Sequence, residues 1–174
     1  MMRFSTGFAL AALSASLILA GCASKPKEAV DNGPPPAASA PTSSGSMSNI
    51  VPGSAEDLRV NVGDTVHFEY NAYDVMDADK TVLQRQAAWL AKYPSVRVTV
   101  EGDCDERGTR EYNLALGARR ANAVKEYLVS LGVSTGRVET ISYGKERPIC
   151  TESSESCYAQ NRRGVTTISG GANS

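Results

Sequence analysis

From Asp64 onward the apolar positions switch between two spacings, and each switch marks an element. In "DTVHFEY" (Asp64–Tyr70), Val66, Phe68 and Tyr70 fall on one side, the period of a half-buried strand. From Asp77 to Tyr93 the spacing lengthens. Val82, Leu83, Ala87 and Leu90 recur at helical intervals, and Pro94 prevents continuation. "SVRVTVEG" (Ser95–Gly102) returns to alternation, with Val96, Val98 and Val100 on one face and arginine, threonine and glutamate on the other. Thr109–Leu131 is the longest predicted helix, with Thr109 as its N-cap and Gly132 as its stop. "RVETISYG" (Arg137–Gly144) reads as a third strand, Ser154–Asn161 as a short helix and Gly164–Ser169 as a last strand. The order β-α-β-α-β-(α)-β predicts an α+β two-layer sandwich over residues 56–170, with a tail of 171–174.

The chain before Glu56 follows other rules. Met1, Met2 and Arg3 form a positive start, and "FALAALSASLILA" (Phe8–Ala20) is an apolar run of signal-peptide length, short for a membrane span. It ends in "LAGC" (Leu19–Cys22), which resembles the bacterial lipobox. Residues 1–21 then read as a lipoprotein signal peptide, and Cys22 as a residue that carries acyl chains. Two or three such chains anchor stably at ~0.8 kcal/mol per buried CH2. The resemblance to proteobacterial lipoproteins implies outer-membrane sorting, because Ala23 and not an aspartate follows the cysteine. Residues 22–55 read as a tether. Lys25–Asn49 is rich in proline, alanine, serine and glycine and has little apolar surface to offset ordering entropy. Such a coil spans on the order of 30 Å, which sets the folded part off the membrane in the periplasm.

The chain has 174 residues and a formal net charge of -1. That is one domain's worth of sequence, and the balance argues against a nucleic-acid partner. Charge becomes informative in "EGDCDERGTREYNLALGARRANAV" (Glu101–Val124). On a helical wheel Leu114, Leu116, Ala121, Val124, Tyr127, Leu128 and Leu131 share one arc, and Arg120 falls inside it. Arg119 points away and reads as a solvated charge. A guanidinium against the sheet needs an anionic partner. Two are open: an internal carboxylate, Asp105 or Glu69, or the carboxylate of a ligand held in a bidentate fork. Asp105 lies in the loop before the helix, with Gly108 supplying a turn. It reads as a turn or capping aspartate or as the acceptor for a ligand ammonium. A cation beside an anion at one helix end suits a zwitterionic ligand.

"VHFEYNAYDV", "VTVEGDCDERGTREYNLALGARRANAVKEYL", "SYGKERP" and "YAQNRRG" together resemble the OmpA-like family of non-covalent peptidoglycan-binding domains, in order and over nearly the whole folded region. The resemblance implies a mixed sheet with helices on one face and no cofactor. It implies binding to the free end of meso-diaminopimelate in peptidoglycan stem peptides, with the family's aspartate at Asp105 and its arginine at Arg120. Asn113 falls on an asparagine that braces the loop or contacts the ligand. Phe68 and Glu69 match a Phe-Asp pair lining the pocket, with glutamate in place of aspartate, and Asn71 again replaces an aspartate. Asp103 stands where a histidine is common, and its charge near Asp105 is expected to raise the pKa of one of them. Asn161, Arg162 and Arg163 match a mostly structural Asn-Arg-Arg with one arginine near the pocket. The lipoprotein branch of the family also implies docking to the periplasmic propeller protein TolB, within the Tol–Pal system of envelope constriction during cell division. A general cell-wall tether outside that system is the alternative. Alanine at Asp105 or Arg120 is expected to abolish binding to sacculi while the domain stays folded.

Beyond Cys22, an oxidising compartment favours a Cys150–Cys157 disulfide across "CTESSESC", although sequence alone leaves Cys104 open as a partner. The acids Asp103, Asp105 and Glu106 could serve acid-base chemistry, but no nucleophile with a base accompanies them, so no enzyme is expected. The only histidine, His67, alternates away from the apolar face. No C-x-x-C or H-x-x-x-H spacing suggests a metal.

Overall fold

The computed structural model describes residues 50–173. The signal peptide, Cys22 and the tether up to residue 49 lie outside the described residues. Ser54 caps a first turn, α1 (Ala55–Asp57), its hydroxyl accepting from the Asp57 N–H. The turn continues as a π-helix over Leu58–Val62. This segment escapes the periodicity reading because Leu58, Val60 and Val62 alternate like a strand. The helical geometry instead buries Leu58 and Val62 and leaves Val60 in solvent. Asp57 is buried with them and accepts the Trp89 indole N–H and the Gly53 N–H, each at 2.8 Å.

Strand β1 covers only Thr65–His67, shorter than the predicted Asp64–Tyr70. The Phe68 N–H still bonds the Arg162 carbonyl at 2.9 Å, but the chain then turns. Asn71 takes a left-handed φ of 56°, and Tyr70 is 61% exposed instead of facing the core. Helix α2 (Asp77–Lys92) and strand β2 (Arg97–Asp103) lie where predicted. Helix α3 is Arg110–Ser130, with the Thr109 hydroxyl accepting from the Tyr112 N–H and Gly132 at φ 97° past its end. A 3-10 turn (Thr135–Arg137) precedes β3 (Val138–Gly144). Helix α4 (Glu155–Asn161) and strand β4 (Arg163–Gly170) complete the described chain. Leu131 sits beyond the last helical residue, and so it is exposed although the wheel placed it on the apolar arc.

The strand order is β1-β4-β2-β3. β2 and β3 are parallel, and β4 runs antiparallel to both β1 and β2, so the sheet is mixed. Val96, Val98 and Val100 meet Leu83, Ala87 and Leu90 of α2 and Ala121, Val124 and Leu128 of α3 in one core. Thr99 and Glu101 alternate to the opposite, partly open face. This is the expected one-sided α+β arrangement.

One close approach fixes where α3 lies. A Cβ on Gly102 would stand 1.9 Å from the Gly117 carbonyl oxygen. Only glycine lets the helix backbone rest on β2 there. The contact sets the start of α3 beside the chain leaving β2, and the loop 104–109 is held between them. Cys150 and Cys157 are joined ahead of β4, and Cys104 is free and buried.

Candidate functional site

The loop 104–109 owes its shape to three residues. Gly108 supplies a φ of 91°, Thr109 caps α3, and Asn113 donates back to the carbonyls of Arg107 (2.9 Å) and Thr109 (3.1 Å). Of the two roles open to Asn113, bracing the loop is the one seen. Asp105 is thereby held over the cavity between this loop, α3 and the Tyr70–Asn71 turn. The cavity measures about 140 Å³ and is lined by Asp105, Arg120, Asn113, Arg107, Tyr70 and Tyr112 among others. Tyr112 hydroxyl bonds the Asn71 side chain across its rim.

Arg120 is fully buried. Its partners are neither of the carboxylates considered from sequence. Nε donates to the Ala72 carbonyl at 2.8 Å, Nη1 to that of Asp103 at 2.8 Å and Nη2 to that of Glu69 at 3.1 Å. The Phe68 ring lies 5.1 Å from the guanidinium. The charge is therefore held by main-chain dipoles. Burial lowers the Arg120 pKa below its ordinary value, but an arginine stays cationic regardless. A guanidinium has five N–H donors, and capacity remains for an acceptor entering the cavity.

Asp105 is 4% exposed. Its Oδ1 accepts from the Arg107 backbone N–H (3.0 Å) and Nε (3.1 Å). Its Oδ2 accepts from Arg107 Nη2 (2.6 Å) and Arg162 Nη1 (3.5 Å). Burial alone would push this carboxyl up. The hydrogen bonds and charge of Arg107, with help from Arg162, outweigh it and hold the pKa below the usual carboxylate range. Arg107 itself lies between the rings of Tyr70 (4.2 Å) and Tyr158 (4.3 Å) and reaches Glu155 at 3.3 Å.

Three residues placed at the site from sequence do not line the cavity. Phe68 is in the core beneath Arg120. Glu69 is exposed and contributes only its carbonyl. Asp103 turns its side chain away, to Arg163 at 3.0 Å, and also contributes only its carbonyl. Strict alternation would put positions 103 and 105 on one side, but the β2 register shifts between Gly102 and Asp103 and the strand ends there, so the two side chains face different surroundings. Of the Asn-Arg-Arg run, Arg162 reaches Asp105, whereas Asn161 binds the main chain of Ile149 and Cys150. Arg107, Tyr70 and Tyr112 were missed. The position of Arg107, two residues after an acid and just before a cap, was the available signal.

The Asp103 pKa is pushed up to about 6, first by burial and then by Glu101, against the pull of Arg163, Arg147 and Arg120. Proximity to Asp105 is not the cause. A carboxyl with a folded pKa above its unfolded value binds more protons folded than unfolded between about pH 4 and 6. Its ionisation therefore costs stability, fully above pH 6, and the cost vanishes as pH falls toward 4. Urea unfolding of the wild type should show stability rising as pH drops through that window. Asp103→Asn should flatten the rise and add on the order of 2 kcal/mol at pH 7.5.

The OmpA family model matches residues 67–162. A peptidoglycan-associated lipoprotein of Mesorhizobium japonicum is 50% identical over 161 residues, covering 91% of this chain and 90% of its own length. Its counterpart in Agrobacterium fabrum is 44% identical over 170 residues, covering 98% and 92%. Among solved structures, the peptidoglycan-associated lipoprotein from Burkholderia pseudomallei is similar with a TM-score of 0.59 and 41% identity, over 60% of this chain and 89% of its own.

Proposed function

This chain belongs to the OmpA family, and on that premise we propose that it is an outer-membrane lipoprotein that binds peptidoglycan non-covalently. Acyl chains on Cys22 hold the membrane, residues 22–55 span the gap, and the cavity takes the free end of a meso-diaminopimelate stem. The observation that carries this reading is that Asp105 and Arg120 line one cavity without bonding to each other. The D-centre of diaminopimelate presents an ammonium and a carboxylate on one carbon. The ammonium suits Asp105, which stays ionised because of its depressed pKa. The carboxylate suits the remaining donors of Arg120. The names of the relatives support the wall as ligand. A place beside TolB in the Tol–Pal system is our reading from the resemblance of the sequence motifs alone. A wall tether outside that system is the other reading, which failure of the intact chain to capture TolB would favour.

Binding needs no chemistry. The one thiol lining the cavity, Cys104, is pushed up to about 11 by burial, so it stays protonated and is a poor nucleophile. Affinity per site need not be high, because many copies facing one sheet act through avidity.

Titration calorimetry with a diaminopimelate stem peptide is the direct test, with a lysine stem as control. The lysine stem keeps the ammonium but lacks the carboxylate. It should bind about tenfold more weakly or worse, a loss of about 1.4 kcal/mol or more. Equal affinity for the two stems would remove Arg120 from recognition.

A further inference from the structure

The Asp105 carboxylate is already full. A carboxylate offers about four lone-pair sites, and the structure supplies four donors to it, three from Arg107 and one from Arg162. A guest ammonium can reach it only if one of these leaves. Arg162 is pinned. Its side chain is 6% exposed, and it also donates to the Phe68 carbonyl at 2.9 Å and to Glu155 at 2.8 Å. Arg107 is free to move. Its side chain is 32% exposed, sits on a loop, and already touches a second carboxylate, Glu155, at 3.3 Å. The Tyr70 and Tyr158 faces form a slot in which it can slide without losing its cation–π contacts.

We propose that Arg107 is a displaceable internal cation that fills the ammonium subsite and sets its affinity and selectivity. A guest must carry a positive charge good enough to replace a bidentate guanidinium on Asp105. On displacement the Arg107 side chain passes to Glu155, which the backbone N–H of Arg107 need not follow. Neutral groups cannot make this exchange, so the latch discriminates against stems whose free amine is acylated. It also keeps Asp105 ionised and paired while the site is empty, which avoids a stranded buried charge. The inference rests on the zwitterion reading of the cavity.

The test uses the full chain in detergent, with Arg107→Met and Arg107→Lys beside the wild type. The probes are a diaminopimelate stem peptide and the same peptide with its free D-centre amine acetylated. A subsite closed about nine-tenths of the time binds about tenfold more weakly than one always open. Arg107→Met should therefore bind the free-amine stem about tenfold more tightly than the wild type. The gain should vanish with the acetylated stem. Arg107→Lys, which keeps a cation but not the fork, should fall between the two. A merely structural Arg107 would weaken both probes alike on substitution to Met. Unchanged or weaker binding of the free-amine stem by Arg107→Met, with the wild type binding it normally, overturns the latch. A wild type that binds the acetylated stem as well as the free amine overturns the zwitterion reading itself, and the latch with it.

Discussion

Asp105→Ala should remove capture by purified sacculi. In the proposed complex the substitution strands the ligand ammonium in a small cavity with no carboxylate to pair it. Losing one partner of a buried, hydrogen-bonded charge pair costs about 2–5 kcal/mol, or about thirty-fold to several-thousand-fold in affinity. The fold should survive. Arg162 keeps Glu155 and the Phe68 carbonyl, and Arg107 keeps Glu155 and two aromatic faces. A stability loss of about 1–3 kcal/mol leaves most of a typical domain stability of about 5–15 kcal/mol. The pH dependence follows from the same residue. With a folded pKa held below its unfolded value, the Asp105 carboxylate contributes stability above about pH 4 and loses it as pH falls through the depressed value. Sacculus binding should accordingly be flat from neutral to mildly acidic pH, in contrast to the stability trend set by Asp103. Pull-down at several pH values with circular dichroism on the same samples checks both statements. Retention of binding by a folded Asp105→Ala would place the wall contact elsewhere on the domain.

The layout of this domain was legible because its core is written in two plain periods. Val96, Val98 and Val100 alternate, and Ala121, Val124 and Leu128 recur on one side of α3. Both patterns survive folding since each element is long enough to express its period. Short elements lack that redundancy. Leu58, Val60 and Val62 suggest a strand and form a π-helix, and β1 stops three residues before its pattern does because the chain turns at Asn71. The site was legible at a coarser grain. Asp105, Asn113 and Arg120 do share one cavity. What sequence could not give was the identity of partners. Arg120 was expected to need an anion and finds main-chain carbonyls instead. Every residue has a carbonyl, so no pattern of side chains foretells which ones converge. Arg107 escaped for a related reason. An arginine in a polar loop reads as solvated until the fold brings Tyr70, Tyr158 and Glu155 around it.

Arg120→Ala should do more than abolish binding; it should unfold much of the domain, contrary to the sequence-based expectation that the variant stays folded. The side chain is fully buried and ties together three stretches of chain, the Glu69–Ala72 turn, the end of β2 and α3. Truncation leaves the carbonyls of Glu69, Ala72 and Asp103 without this donor and opens a void next to Phe68. An acceptor left unsatisfied in the interior costs about 1–3 kcal/mol. This falls in full on the buried Asp103 carbonyl and in part on the part-buried Glu69 and Ala72 carbonyls. With the void of a large buried side chain the total is about 5 kcal/mol, comparable to the whole stability of a small domain. Loss of sacculus capture by this variant would then say nothing about ligand contact by itself. Arg120→Lys separates the two roles. An ammonium keeps the charge but cannot reach three diverging carbonyls and a guest carboxylate with a planar fork. It should fold with reduced stability in urea titrations and bind the diaminopimelate stem much more weakly, while Asp105→Ala loses binding but stays folded. A stably folded Arg120→Ala with normal urea resistance would show that the three carbonyls are satisfied by water, and the structural role assigned to this arginine would fall.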